Sequence, residues 1–171
     1  MSLMKTQSKK LVELILQRYT TNCRYLRNFK RIDESNIEGR FLASGSAHVA
    51  DREMFHLAIT ETQMCLNQFF QVQMAHLLET GHFEGVAPIR FKDYWPSSDE
   101  YLFVVDEHLK FKRHIEPNKI FSGNLKLINE KVSRRKFYHM NFEFDFDDKA
   151  HYGNLRLAFD TKGLASELGM I

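Results

Sequence analysis

Hydrophobic residues follow a helical spacing in two segments of the chain and a two-residue spacing in most of the others. Residues 8–18 carry leucine and isoleucine at helical intervals, which predicts a short amphipathic helix lying on the domain as a lid or clasp. Residues 59–81 are hydrophobic nearly all the way round and contain neither Lys nor Arg. We therefore predict a long helix, capped by Gly81, that other parts of the protein enclose.

The alternating segments predict strands that form an antiparallel sheet. After the long helix they follow one another through short connections, for which we assign residues 94–100, 116–119, 129–136 and 147–153. In the segment 101–115 the alternation predicts that Phe103, Val105, Glu107, Leu109 and Phe111 share one face. The predicted strands are residues 37–49, 83–94, 101–115, 121–127, 140–147 and 155–159.

An antiparallel sheet with one apolar face needs a cover, and only the long helix is apolar on enough sides to provide one. The expected fold is therefore of the α+β class, with a sheet of five to six strands wrapped round a long central helix and a short N-terminal helix beside it. A chain of 171 residues with 43% hydrophobic content is long enough for one core, so we predict a single domain over residues 1–171.

Charge and cysteine content bear on the partners of the protein and on its cellular compartment. Residues 1–31 hold eight basic residues against one Glu, a basic N-terminal helical segment ahead of a core at 37–160. This segment either receives an acidic partner, such as a carrier protein or a nucleotide phosphate, or is a solvated helix face, which is the more frequent case. Two cysteines and no signal-like start favour the cytoplasm, and no hydrophobic run reaches the roughly 20 residues that span a bilayer. We expect no nucleic-acid partner.

Two stretches of sequence add a family resemblance to this pattern. "ETQMCLNQFF" at 61–70 and "LKFKRHIEPNKIFSGNLKL" at 109–127, in this order of elements, resemble the hot-dog fold and within it the FcoT-like thioesterase family. The likeness covers roughly residues 37–160. It implies a protein that acts on acyl thioesters of coenzyme A or of an acyl-carrier protein, and that assembles as a homodimer or a dimer of dimers.

The dehydratase branch of the same fold fits less well. That branch pairs a carboxylate on the central helix with a histidine in a loop, since one group removes a proton while the other protonates the leaving hydroxyl. Aligned with that branch, this chain has Met64 at the carboxylate position and Ala50 near the histidine position, two residues from His48. Thioester hydrolysis is therefore favoured over dehydration.

The resemblance places the thioester carbonyl at the start of the central helix, near residues 59–62, where free N–H groups and the helix dipole favour an oxyanion. A row of polar side chains follows along one helix face, and an amide there holds a carbonyl without a buried charge. Asn67 is the first choice for this role, with Thr60 and Gln63 binding substrate. Alternatively the amides bond the backbone or a partner helix, which we favour for Gln71 and Gln73 as a dimer seam.

Three further residues are candidates for proton transfer. Glu61 is either the general base or a first-turn acid matched to the helix dipole. His48 and His56 flank the expected mouth of the site and are either proton relays or ordinary surface residues. Tyr25 is a weaker candidate, as a hydroxyl donor.

Basic residues near strand ends are candidates for binding phosphate. Lys112, Arg113, Arg134 and Arg135 either hold the phosphates of coenzyme A or of a carrier's pantetheine, or keep edge strands from pairing with other molecules. The histidines lack metal-ligand spacing, and we expect neither a metal nor a cofactor. Cys65, among apolar neighbours, is expected to be an inert thiol.

The predicted function is hydrolysis of fatty acyl thioesters. Two alternatives stay open at this point. One is addition of an amine such as glycine to an enoyl thioester, or its hydration or dehydration, because the same site would stabilise an enolate. The other is a non-catalytic module that binds acyl thioesters, in keeping with the missing carboxylate at Met64.

Overall fold

The computed structural model describes residues 2–44, 57–84, 86–134 and 137–170, with side chains from Lys9 onward. The strands are β1 Leu26–Arg31, β2 Asn36–Leu42, β3 Leu102–Phe111, β4 Ile120–Val132, β5 Phe137–Phe146 and β6 His151–Asp160. The helices are α1 Ser2–Leu16, α2 Ile59–Glu79, α3 Phe91–Tyr94, α4 Ser98–Tyr101 and α5 Thr161–Glu167. All six strands form one antiparallel sheet in the order β1-β2-β4-β5-β6-β3, so β1 and β3 are its edges.

The long helix α2 packs against the aromatic face of this sheet. Phe69 of α2 meets Phe41 of β2 edge-on at a centroid distance of 5.2 Å, and Phe146 of β5 at 6.4 Å. Gly39 and Gly123 face each other across β2 and β4, and a Cβ on either would lie within 3.0 Å of these rings. The glycine pair thus makes room for the aromatic contact. The predicted α+β hot-dog arrangement, with six strands around a long central helix, is confirmed.

The predicted end of α2 is also confirmed. Gly81 has a φ of +68°, in the left-handed region, and the N–H of His82 donates to the carbonyl of Leu77 at 3.0 Å. These contacts satisfy carbonyls of the last turn, which is what a glycine cap provides.

The strand predicted for residues 83–94 is wrong. Residues 86–90 belong to neither a strand nor a helix, and they lead into α3, a 3₁₀ turn at Trp95–Ser97 and then α4. Pro88 has no N–H to give to a ladder, and the N–H of Ile89 donates instead to Leu78 at the end of α2. The buried side chains of this segment therefore cover the C-terminal end of α2 rather than extending the sheet.

Two predicted connections are too long. Residues 129–132 continue β4, where Val132 pairs with Tyr138, so β4 extends to Val132 and β5 begins at Phe137. Residues 151–153 belong to β6. The turn before it is confined to residues 147–150 because three consecutive residues there have positive φ: Asp147, Asp148 and Lys149.

The sequence pattern did not predict β1 or α5. The N-terminal segment 1–31, expected to be helical, also supplies β1, whose start is held by a buried amide of α2. Gln68 accepts the N–H groups of Tyr25 and Leu26 at 3.0 and 2.9 Å. Helix α5 begins where the side chain of Asp160 accepts the N–H of Gly163 at 2.9 Å. Among the described residues, none of the helices has the length and apolar content needed to cross a membrane.

Candidate functional site

A groove runs between α2 and the edge strand β3. Residues 59, 60, 63, 64 and 67 of α2 are partly or fully exposed, whereas residues 68–75 are all buried. This open side of the helix faces β3, and we call the space between them the α2–β3 groove. A cavity of about 450 Å³ lies at the start of α2, and a second of about 340 Å³ lies beside Asn67.

A bulge in β3 decides which of its side chains enter the groove. The pairing with β6 skips Val105, between Val104 and Asp106. Val104 therefore lines the cavity beside Asn67, while Glu107 reaches Gln63 of α2. The prediction that Phe103 and Glu107 share a face is wrong, because the extra residue between them reverses the alternation at that point.

The start of α2 is poorly capped and opens onto the first cavity. Its N-cap residue is Ala58, which has no side-chain acceptor for the N–H groups of Ile59 and Thr60. The same cavity is lined by Lys112 and Arg113, just after β3. Backbone donors, the positive end of a helix dipole and two cations together favour a negatively charged or developing anionic group.

Glu61 takes part in capping the helix. Its carboxylate accepts the N–H of Ala58 at 3.1 Å, and the residue is only 1% exposed. This contact agrees with the alternative of a first-turn acid matched to the helix, while its role as general base stays a prediction. Burial, followed by the nearby Cys23 and Glu61, raises the pKa of Tyr25 far above its ordinary value, so this hydroxyl stays protonated.

His151 borders the first cavity and was missed by the sequence analysis. Its Nδ1 lies 2.7 Å from the hydroxyl of Thr62 on α2, and its ring meets Phe111 edge-on at 4.5 Å. Burial lowers the pKa of His151 to about 4, so the imidazole is neutral near pH 7. A single histidine in a predicted turn gives no sequence signal for this position.

Asn67 lies in the second cavity, two turns further along α2. The wall opposite is held by Arg18, which donates to the carbonyl of Trp95 at 2.9 Å and the hydroxyl of Ser98 at 2.7 Å. Its guanidinium also stacks over the Trp95 ring at 4.8 Å. The chain between α1 and β1 thus lines this cavity, in keeping with the clasp predicted for the N-terminal segment.

The last two amides of the helix row are buried within their own chain. Gln73 donates to the carbonyl of Glu34 at 2.8 Å and is 1% exposed, so its predicted place at a dimer seam is wrong. Gln71 is 6% exposed and lines the cavity beside Asn67. Helical spacing alone does not show that Gln73 is buried, because its contact with the β1–β2 connection is a tertiary one.

The other predicted residues are scattered. Arg113 pairs with Asp147 at 2.6 Å beside the first cavity, and Arg134 is exposed in the turn between β4 and β5, outside both cavities. His48, His56 and Arg135 lie outside the described residues. Within the described ranges no three His, Cys, Asp or Glu side chains come together as metal ligands.

Comparisons with known proteins give a family match and several similar folds. A family model described as the FcoT-like thioesterase domain matches residues 14–159. A search of curated proteins gives no match. Among solved structures, a sigma28-regulated virulence protein from Campylobacter jejuni is similar, with a TM-score of 0.56 at 9% identity over 92% of each chain. A Staphylococcus aureus protein solved in complex with CoA has a TM-score of 0.50 at 9% identity, over 78% of this chain and 75% of that one.

Proposed function

Because the chain belongs to the FcoT-like thioesterase domain family, we propose that it hydrolyses fatty acyl thioesters of coenzyme A or of a carrier protein. The observation that carries the proposal is the start of α2, where the helix has no side-chain cap at Ala58 and adjoins a cavity lined by Lys112 and Arg113. Thioester hydrolysis passes through a tetrahedral intermediate whose oxygen carries negative charge, and such donors stabilise it.

The distance along α2 between its first residues and Asn67 separates the roles of the polar groups on this face of the helix. Asn67 lies eight residues beyond Ile59, which at 1.5 Å per residue is about 12 Å along the helix. One carbonyl oxygen cannot contact both. We therefore assign the carbonyl to the N–H groups at the helix start, and Asn67 to another polar part of a substrate that lies along the α2–β3 groove.

Lys112 and Arg113 are suited to the phosphates of the thiol carrier. Both follow β3 at the cavity where the helix begins, so a phosphate there would be drawn by their charges as well as by the helix dipole. The Staphylococcus aureus protein of the same fold was solved with CoA, which supports a nucleotide thioester as substrate.

The buried free thiols Cys23 and Cys65 support a reducing cytoplasm.

We also propose a homodimer formed through β3. This strand is a sheet edge, and Phe103, Val104 and Val105 on it are 43%, 52% and 44% exposed. An apolar edge strand is a liability in a monomer unless another chain covers it. Pairing of β3 with its symmetry mate would cover that edge and close the α2–β3 groove on its open side.

A thiol-release assay tests this function. Purified protein is incubated with short, medium and long acyl-CoAs and free thiol is measured. We expect release with at least one chain length, and a rise in KM of about 30-fold for the Lys112→Ala/Arg113→Ala variant, since each of the two lost phosphate contacts weakens binding by about 1 kcal/mol. Lys126→Ala, an exposed charge on β4, serves as the control. No thiol from the wild type at any length refutes hydrolysis and leaves the amine addition or the binding module.

A further inference from the structure

Glu107 is a carboxylate in the α2–β3 groove that the sequence analysis did not select. It is partly buried on β3, where its backbone pairs with Leu155 of β6. The side chain forms a hydrogen bond with the amide of Gln63 on α2. One oxygen of the carboxyl, Oε1, is buried and has no hydrogen-bond partner among the described residues.

A structural role alone does not account for this arrangement. A glutamine at position 107 would make the same bond to Gln63 without desolvating a charge, and an aliphatic side chain would fill the same space. Burial raises the pKa of Glu107 above its ordinary value, and the bond from Gln63 opposes that shift in part. Neither Gln63 nor Leu155 titrates, so the raised pKa comes from the surroundings of the carboxyl and not from a neighbouring charge. A carboxyl with a raised pKa and a buried oxygen that lacks a hydrogen-bond partner among the described residues is suited to proton transfer.

Its place in the groove fits the proposed site. Gln63 follows Ile59 by one turn of α2, about 6 Å along the axis. Glu107, which lies against Gln63, is therefore about one helix turn from a carbonyl held by the N–H groups of Ile59 and Thr60. The carboxylate that the central helix lacks at Met64 is in this way supplied by the opposite wall, from β3.

We propose that Glu107 is the catalytic base of the thioester hydrolysis and that Gln63 is its positioning residue; this inference rests on the proposed function. Glu107 takes a proton from water as the water oxygen bonds to the thioester carbon and the carbonyl electrons move to oxygen. The intermediate then collapses, the C–S bond breaks, and the proton on Glu107 passes to the leaving sulfur. Acyl thioester and water give carboxylic acid and thiol, with the carboxylate regenerated.

Substitution of the carboxyl tests the base. Glu107→Gln keeps the size of the side chain and its bond to Gln63, and we expect it to lower kcat by at least about 100-fold with KM changed less than about threefold. Wild-type kcat/KM should rise with pH through an inflection above the ordinary pKa of glutamate, and the variant should lack that rise. Glu143→Gln, an exposed carboxyl on β5, is the matched control and should keep wild-type activity and profile.

Gln63→Ala tests positioning. Loss of the hydrogen bond should move the inflection of kcat/KM to higher pH, because the bond lowers the pKa of Glu107. A merely structural role would lower activity without moving the inflection. If wild-type protein releases thiol but Glu107→Gln keeps more than a third of the rate, Glu107 is not the base and the proposed function stands. If the wild type releases none, the proposed function fails and hydrolysis by Glu107 fails with it.

Discussion

At the scale of single residues, the start of α2 is tied to the sheet by a buried pair, Thr62 and His151. The hydroxyl and ring nitrogen lie 2.7 Å apart, and the imidazole is 1% exposed beside Phe111. The pair fixes the first turn of the helix against the beginning of β6. The N–H groups proposed to hold the carbonyl are thus kept in place by a contact that the sequence pattern does not reveal.

The His151 pair makes stability depend on pH. Its pKa in the folded protein, about 4, lies below the ordinary value of 6.5, so the unfolded chain binds the proton more readily. The stabilisation is present above pH 6.5 and is lost as the pH falls toward 4, by at most about 3 kcal/mol. Urea unfolding across that range should show the decline. His151→Gln should flatten it and the exposed His108→Gln should not; an unchanged slope in His151→Gln would contradict the assignment.

At the scale of elements, the contact of β6 with β3 depends on a glycine. A Cβ at Gly153 would lie 1.7 Å from the carbonyl oxygen of His108 on β3, and a backbone oxygen in a ladder cannot turn aside. Leu109 pairs directly with Gly153. The close approach therefore fixes the register of the edge strand, and with it the side of the groove on which Glu107 lies.

Gly153→Ala tests this dependence. We expect it to lower the free energy of unfolding by at least about 2 kcal/mol, because β3 has to move away from β6 to admit the methyl group. Denaturant unfolding measures the change, and the adjacent exposed Asn154→Ala should stay within about 0.5 kcal/mol of wild type. Equal stability of the two variants would mean that the strands shift freely there.

At the scale of the whole molecule, the open sides of the groove and of β3 coincide. The edge strand presents Phe103, Val104 and Val105 to solvent on the same border where α2 exposes Gln63 and Asn67. A partner that pairs with β3 would shield both, and a shielded groove strengthens the electrostatic interactions that the proposed reaction uses.

Val105→Lys tests the proposed dimer. A charged side chain on an edge strand opposes pairing with a second chain, so we expect the variant to elute as a monomer while wild type elutes as a dimer. Light scattering coupled to gel filtration gives the masses. Val132→Lys, at an equally exposed position at the end of β4, should leave the dimer intact. A wild-type protein that is monomeric at all concentrations would overturn the dimer.

The sequence by itself determined the long helix and most of the sheet, because hydrophobic period is a local property. Residues 59–81 and the alternation in β4, β5 and β6 are periodic enough to assign, and Gly81 marks a helix end through its own backbone freedom. The tertiary structure decided the rest. The bulge at Val105, the bonds from Gln68 to the start of β1 and the meeting of Thr62 with His151 arise between segments far apart in the chain. No local pattern reveals those contacts, so the places of Glu107 and His151 beside α2 depend on how β3 and β6 pack in the fold.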